Sequence, residues 1–220
     1  MGMVYLQISY LTMPLKALGS PVYTTKTLAL IGNVALLDRT LLAIFASMKS
    51  PPEAAQASKT FAGSMPDTIS VIAGFHSPLE AEWYRQLRQT NAGLILMPAR
   101  SLDTLTIRAE WKEMLDAGRM LVISPFAAGY NWQTRDSALQ RNRFIAALAE
   151  AVLILHAAPG SATEGLAKEC LAQDKPVYTL NPDSAGLLAA GARPADPELS
   201  RAIGVCCLET EAVSKGSDAR

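Results

Sequence analysis

Ser77-Pro78-Leu79-Glu80 and Ser161-Ala162-Thr163-Glu164 share the spacing S-x-x-E, and each follows an apolar run and a glycine, Gly74 or Gly160. At this spacing the serine oxygen accepts from the amide three residues on, and the glutamate returns to the amide at the helix start. Pro78 falls at the first helical position, where a missing N–H is no loss. For the two glutamates, capping is the simpler reading. Their surroundings carry a second possibility. A helix start presents free amides and the positive end of the helix dipole, and a glycine lets a ligand approach the backbone. Phe75 and His76 flank one glycine, and Ser77, Ser161 and Thr163 supply hydroxyls. Gly32 and Asn33 end an earlier apolar run and join the same expectation. Together these residues could bind a phosphate. Arg141-Asn142-Arg143 supplies positive charge, and residues two apart do not share a helix face, so one arginine is expected to face the ligand. No complete G-x-G-x-x-G or P-loop motif is present.

Positioning such residues requires a frame of alternating strands and helices. Short apolar runs bounded by Gly or Pro predict strands at 27–31, 68–73, 94–97, 120–124, 152–155 and 177–180. Leu36, Leu37, Thr40, Leu41, Ile44 and Phe45 recur at helical spacing, as do Leu79, Trp83, Tyr84 and Leu87. Further helices are expected within 102–117, around Arg141 and from Ser161. Residues 50–67, with Pro51-Pro52 and Gly63, read as loop. The alternation implies an α/β fold, a Rossmann-like three-layer sandwich with a mostly parallel β-sheet. The strands at 27–31, 68–73, 120–124 and 152–155 should then be parallel, with Gly32, Gly74, Pro125 and Gly160 along the carboxyl edge, where such folds bind ligands. The expected organisation is an N-terminal arm at 1–26, the Rossmann-like domain at 27–192, and a linker at 193–220 with a short edge strand at 203–208 and a disordered tail.

Twenty basic and 20 acidic residues cancel, so any contact with nucleic acid must come from a local basic face. Cys170, Cys206 and Cys207 lack C-x-x-C spacing, and the histidines are His76 and His156. This pattern argues against a zinc site or a disulfide framework; no metal and no cofactor are expected. The opening residues lack a basic leader, and no apolar run is long enough to span a bilayer, which fits a cytoplasmic protein. Trp111 and Trp132 could stack on bases, although packing is the simpler expectation.

With these residues placed, the chain resembles the DNA-processing protein A (DprA, or Smf) family over 28–192. The resemblance is carried by Arg141-Asn142-Arg143 with Ile145-Ala146 and Leu148, by Gly160-Ser161 with Thr163, by Lys175-Pro176-Val177-Tyr178, and by Leu187-Leu188-Ala189-Ala190-Gly191-Ala192. It implies a Rossmann-like domain that binds single-stranded DNA, hands it to a recombinase partner during transformation, self-associates into a homo-oligomer and has no catalytic residues. Where the family has Gly-Ser-Arg after its first strand, this chain has Gly32-Asn33-Val34. The family's second-strand motif is replaced by the segment from Gly74 to Glu80, and no winged-helix segment is recognised after Ala192, as for a stand-alone relative. The alternative is a nucleotide-binding protein or a LOG-type phosphoribohydrolase-like enzyme, whose Pro-Gly-Gly-x-Gly-Thr-x-x-Glu turn is partly echoed from Pro159 to Glu164. In that case Glu164 or His76 would act on a nucleoside monophosphate.

Overall fold

The computed structural model describes residues 7–16, 23–181 and 184–195. The edge strand expected at 203–208, Cys206, Cys207 and the tail lie outside the described residues. Among the described residues nine strands form one sheet: β1 (Ser9–Lys16), β2 (Tyr23–Gly32), β3 (Thr40–Ala46), β4 (Ile69–Ala73), β5 (Gly93–Leu96), β6 (Met120–Ser124), β7 (Ala151–His156), β8 (Val177–Thr179) and β9 (Arg193–Pro194). The helices are α1 (Glu53–Gly63), α2 (Pro78–Leu87), α3 (Ala109–Asp116), α4 (Arg135–Leu148), α5 (Ala162–Leu171) and α6 (Ala185–Ala189).

The strand order is β1-β2-β6-β5-β4-β3-β7-β8-β9, and β3 to β9 are parallel. From β3 the chain steps outward through β4 and β5 to β6, crossing over α1, α2 and α3. Helix α4 then carries it back to β7, on the other side of β3. The order of strand addition reverses between the parallel neighbours β3 and β7, so their carboxyl ends flank the switch point where open α/β sheets leave a crevice. The core confirms the layering. Leu42 and Ile44 join Phe61, Trp83 and Met114 of α1 to α3 on one face, while Ala43 and Phe45 join Ile145 and Leu166 of α4 and α5 on the other. Among the described residues no helix is long and apolar enough to cross a membrane.

The fold is the expected α/β sandwich, with three local differences. The segment read as a helix from Leu36 to Phe45 is a 3-10 turn, Val34–Asp38, followed by β3. Leu41 to Ala46 are all buried, and a strand covered on both faces shows no period-two alternation to distinguish it from a helix. The loop expected at 50–67 contains α1, whose Ser58, Phe61 and Ala62 face inward; Pro51-Pro52 precedes that helix and does not prevent it. The hydroxyl of Ser58 accepts the buried indole N–H of Trp83. Finally, the run at 27–31 belongs to β2, which pairs antiparallel with β6, and residues 9–16, expected within an arm, form β1 against it.

Candidate functional site

A cleft of about 660 Å³ opens at the carboxyl ends of β4 and β5. Phe75 and His76 from the β4–α2 turn, Arg100 after β5, Arg108 from the approach to α3, and Arg135 and Arg141 of α4 all line it. Arg141 is 6% exposed. Its Nη1 donates to the carbonyl of Met97 at 3.0 Å, its buried Nε has no partner, and it enters none of the ion pairs among the described residues. Burial lowers its pKa, and the Glu80 carboxylate only partly offsets that. A buried cation with one neutral acceptor is costly, and an anion entering the cleft would compensate it. Arg100 also has a buried, unpartnered Nε. The guanidinium of Arg108 sits 5.2 Å from the Trp111 ring centroid. Tyr84 lines the cleft with a buried, unpartnered hydroxyl whose pKa is pushed up to about 12, mainly by burial and secondarily by Glu110.

Gly74 makes the position of Arg141 possible. A Cβ on Gly74 would stand 1.5 Å from Arg141 Nη1, so the guanidinium occupies the space a side chain would fill. The next residue, Phe75, has φ 49°, a left-handed conformation that is costly for an aromatic residue, and its ring meets Tyr84 edge-on at 5.8 Å. Ser77 is the α2 cap and accepts from the Glu80 amide at 3.2 Å. The Glu80 carboxylate reaches one residue beyond the cap: it accepts from the amides of His76 at 2.9 Å and Ala46 at 3.0 Å. Buried Glu80 thereby ties the end of β3 to the β4–α2 turn.

At the switch point Ser47, the first residue after β3, meets the β7–α5 turn. Its amide donates to the His156 carbonyl at 2.9 Å, and its hydroxyl donates to Ser161 Oγ at 3.1 Å while accepting from the Ala158 amide at 3.0 Å. Met48, next in the chain, lines the cleft. Ser161 caps α5, and Glu164 accepts from the Gly160 amide at 2.7 Å and pairs with Lys168 at 2.9 Å. Lys168 and the Gly160 amide hold the Glu164 carboxyl below the usual range. His156 ends β7, and burial lowers its pKa.

The expected residues therefore divide. Gly74, Phe75, His76 and Arg141 line the cleft, and Ser77 caps the helix behind it. Gly160, Ser161 and Thr163 belong to the β7–α5 turn at the same carboxyl edge, where Ser161 meets Ser47, and are not in the cleft wall. Arg141 and Arg143 face different ways, as their spacing requires: Arg143 makes a bidentate pair with Glu169 of α5 at 2.8 and 2.6 Å, and Asn142 lies half-buried between them. Gly32 and Asn33 are a correction. Because β2 runs antiparallel to β6, Gly32 pairs with Leu121 near the start of β6, at the opposite end of the sheet. Its φ is 111°, a Cβ there would meet the Met120 carbonyl at 2.4 Å, and Asn33 donates to the Gly118 carbonyl. Those two residues build a turn. Ala46-Ser47-Met48, which runs out of the end of the first parallel strand, occupies the place assigned to Gly32-Asn33-Val34; reading β3 as helix hid it. Arg100, Arg108 and Arg135 were also missed, since isolated arginines carry no spacing signal. Trp111 packs against the core at 8% exposure.

No curated protein matches the chain by sequence. Solved structures share its fold. DNA processing protein A from Streptococcus pneumoniae superposes with a TM-score of 0.65 at 19% identity over 79% of this chain, which spans 65% of that one. DNA processing protein A from Helicobacter pylori, described for its single-stranded DNA binding mode, gives 0.72 at 22% identity over 93% of this chain and 98% of that one. The molybdenum cofactor binding protein from Rippkaea orientalis gives 0.50 at 13% identity, covering 80% and 97%. Residues 15–194, well over half of the sequence, match the profile of DNA recombination-mediator protein A, and the chain belongs to that family.

Proposed function

We propose that this protein binds single-stranded DNA and acts in DNA processing, with the phosphate backbone entering the arginine-lined cleft at the carboxyl ends of β4 and β5. The observation that carries this reading is Arg141: a buried guanidinium on the cleft wall with one neutral acceptor, given room by Gly74, and with Arg100, Arg108 and Arg135 around it. A phosphodiester supplies the missing negative charge, and guanidinium–phosphate contacts are strong and directional. The overall charge of zero makes this local concentration of arginine the source of affinity. Membership of the family and the described binding of single-stranded DNA by the Helicobacter pylori protein support the same ligand. We further propose that it works in the cytoplasm beside a recombinase, as a homo-oligomer. The Gly160-Ser161-Thr163 turn and Ser47 extend the path for the strand along the sheet edge.

Fluorescence anisotropy with a labelled oligothymidylate over a range of salt concentrations tests this. Binding should weaken with salt by about 0.7 log unit per log unit for each phosphate contacted. Arg141→Met should flatten that slope and weaken binding. A folded Arg141→Met protein with unchanged affinity and slope would remove the cleft from the reading.

A further inference from the structure

We propose that Trp132 is a base-stacking residue, and that the β6–α4 loop carries the bases of a single strand whose phosphates occupy the cleft. This deepens the single-strand reading above and rests on it. Of the three tryptophans, Trp83 is fully buried and Trp111 is 8% exposed, whereas Trp132 is 80% exposed. A large aromatic ring left in water costs free energy unless something covers it. Its position indicates what does. Gln133, Thr134 and Arg135, the next three residues, line the cleft. A three-residue step spans at most about 11 Å, so the indole stands close to the rim beside a cationic groove.

The loop is also a prepared support. Asn131, beside the tryptophan, accepts from the hydroxyls of Ser101 at 3.1 Å and Thr104 at 2.8 Å. The Tyr130 carbonyl accepts from the Ser101 amide at 2.8 Å, and Asp103 accepts from the Gly129 amide at 3.0 Å. Phe126 and Tyr130 stack with ring centroids 5.0 Å apart and planes 16° from parallel. Both loops at this side of the cleft are thus stitched together, and the exposed ring projects from a fixed base. Arginines for phosphates beside an aromatic ring for bases are the two components of a sequence-tolerant single-strand site. A duplex hides its base faces by stacking them on one another, so the arrangement selects unpaired bases. A ring beyond the cleft rim also calls for a ligand longer than a mononucleotide.

Intrinsic fluorescence tests the assignment, because Trp132 is the exposed tryptophan. Oligothymidylate should quench wild-type emission and shield it from acrylamide. Trp132→Ala should weaken single-strand binding by about fivefold or more, Trp132→Tyr should restore most of it, and duplex binding should not change. Thermal melting checks that both variants are folded. If oligothymidylate binds and Arg141→Met weakens it, while Trp132→Ala binds normally and wild-type emission stays unchanged, the stacking role is overturned and the cleft reading stands. If wild-type protein binds no oligonucleotide, both fall. Loss of self-association in Trp132→Ala, with normal DNA binding, would assign the ring to a contact between copies and overturn the proposal.

Discussion

The turns that open α2 and α5 begin from nearly the same sequence device and end as different pieces of chemistry. Each follows a parallel strand and a glycine, and each has a capping serine whose Oγ accepts from a glutamate amide at 3.2 Å. In both, the glutamate carboxylate reaches the amide just before the cap, His76 or Gly160. Beyond that they diverge. Gly74 has an ordinary backbone and is required for space, because Arg141 fills the position of its side chain; Gly160 has φ 70° and nothing within 4 Å of a Cβ, so it is required for conformation. Glu80 is buried and also holds the end of β3, whereas Glu164 pairs with Lys168 at the surface. A capping motif therefore starts a helix wherever it occurs. It becomes part of a charged cleft only where another element, here α4, delivers a cation against it.

The comparison is broken most directly at Arg141. Arg141→Met keeps most of the volume and removes the charge, so DNA affinity in the anisotropy assay should fall about tenfold or more, the loss of a charged hydrogen-bonding partner. The same change should leave unfolding free energy unchanged or raise it by about 1–3 kcal/mol in urea melts, because a buried unpaired charge is replaced by an apolar chain. Loss of both binding and stability would show that Arg141 serves the core.

The glycines sharpen the contrast. Gly74→Ala should displace the guanidinium and reproduce most of the binding loss, as isothermal titration with oligothymidylate would show. Gly160→Ala should cost about 1 kcal/mol of stability through its left-handed backbone and have less effect on binding. The glutamates come next. Glu80→Ala leaves two amides without their acceptor, one at the end of β3, and should cost about 2–4 kcal/mol by chemical denaturation. Glu164→Gln keeps a side chain able to accept at the cap, so its melting temperature should hardly move. Arg143→Ala removes an exposed ion pair with Glu169 and should cost less than about 1 kcal/mol, with little change in DNA affinity.

The smallest effect concerns pH. The Ser101 hydroxyl and the Gly129 amide hold Asp103 below the ordinary aspartate range. A depressed folded pKa stabilises above the unfolded value of about 3.9 and loses that contribution as pH falls through the lower folded value. The Gly129 amide resonance should titrate in that acid window in NMR spectra and stop doing so in Asp103→Asn. An amide that titrates near pH 7 instead would contradict the loop stitching.

The sequence alone determined the βα alternation, the parallel strands β4 to β8, both serine caps and the division of labour between Arg141 and Arg143. Each depends on local spacing: apolar runs bounded by glycine or proline, S-x-x-E at a helix start, and a helical period that turns residues two apart away from each other. The tertiary structure decided what spacing does not encode. Leu41 to Ala46 is uniformly apolar because β3 is covered on both faces, and such a run fits strand and helix alike. The direction of β2 is set by its pairing with β6, and that pairing places Gly32 at the wrong end of the sheet for the site. Arg100 and Arg108 come from the segment between β5 and α3, Arg135 and Arg141 from α4, and the crossover of α4 brings them to one cleft. Whether an arginine is solvated, paired or buried without an anion depends on what the chain folds against it, because desolvation and Coulomb energy are fixed by three-dimensional surroundings and not by position along the chain.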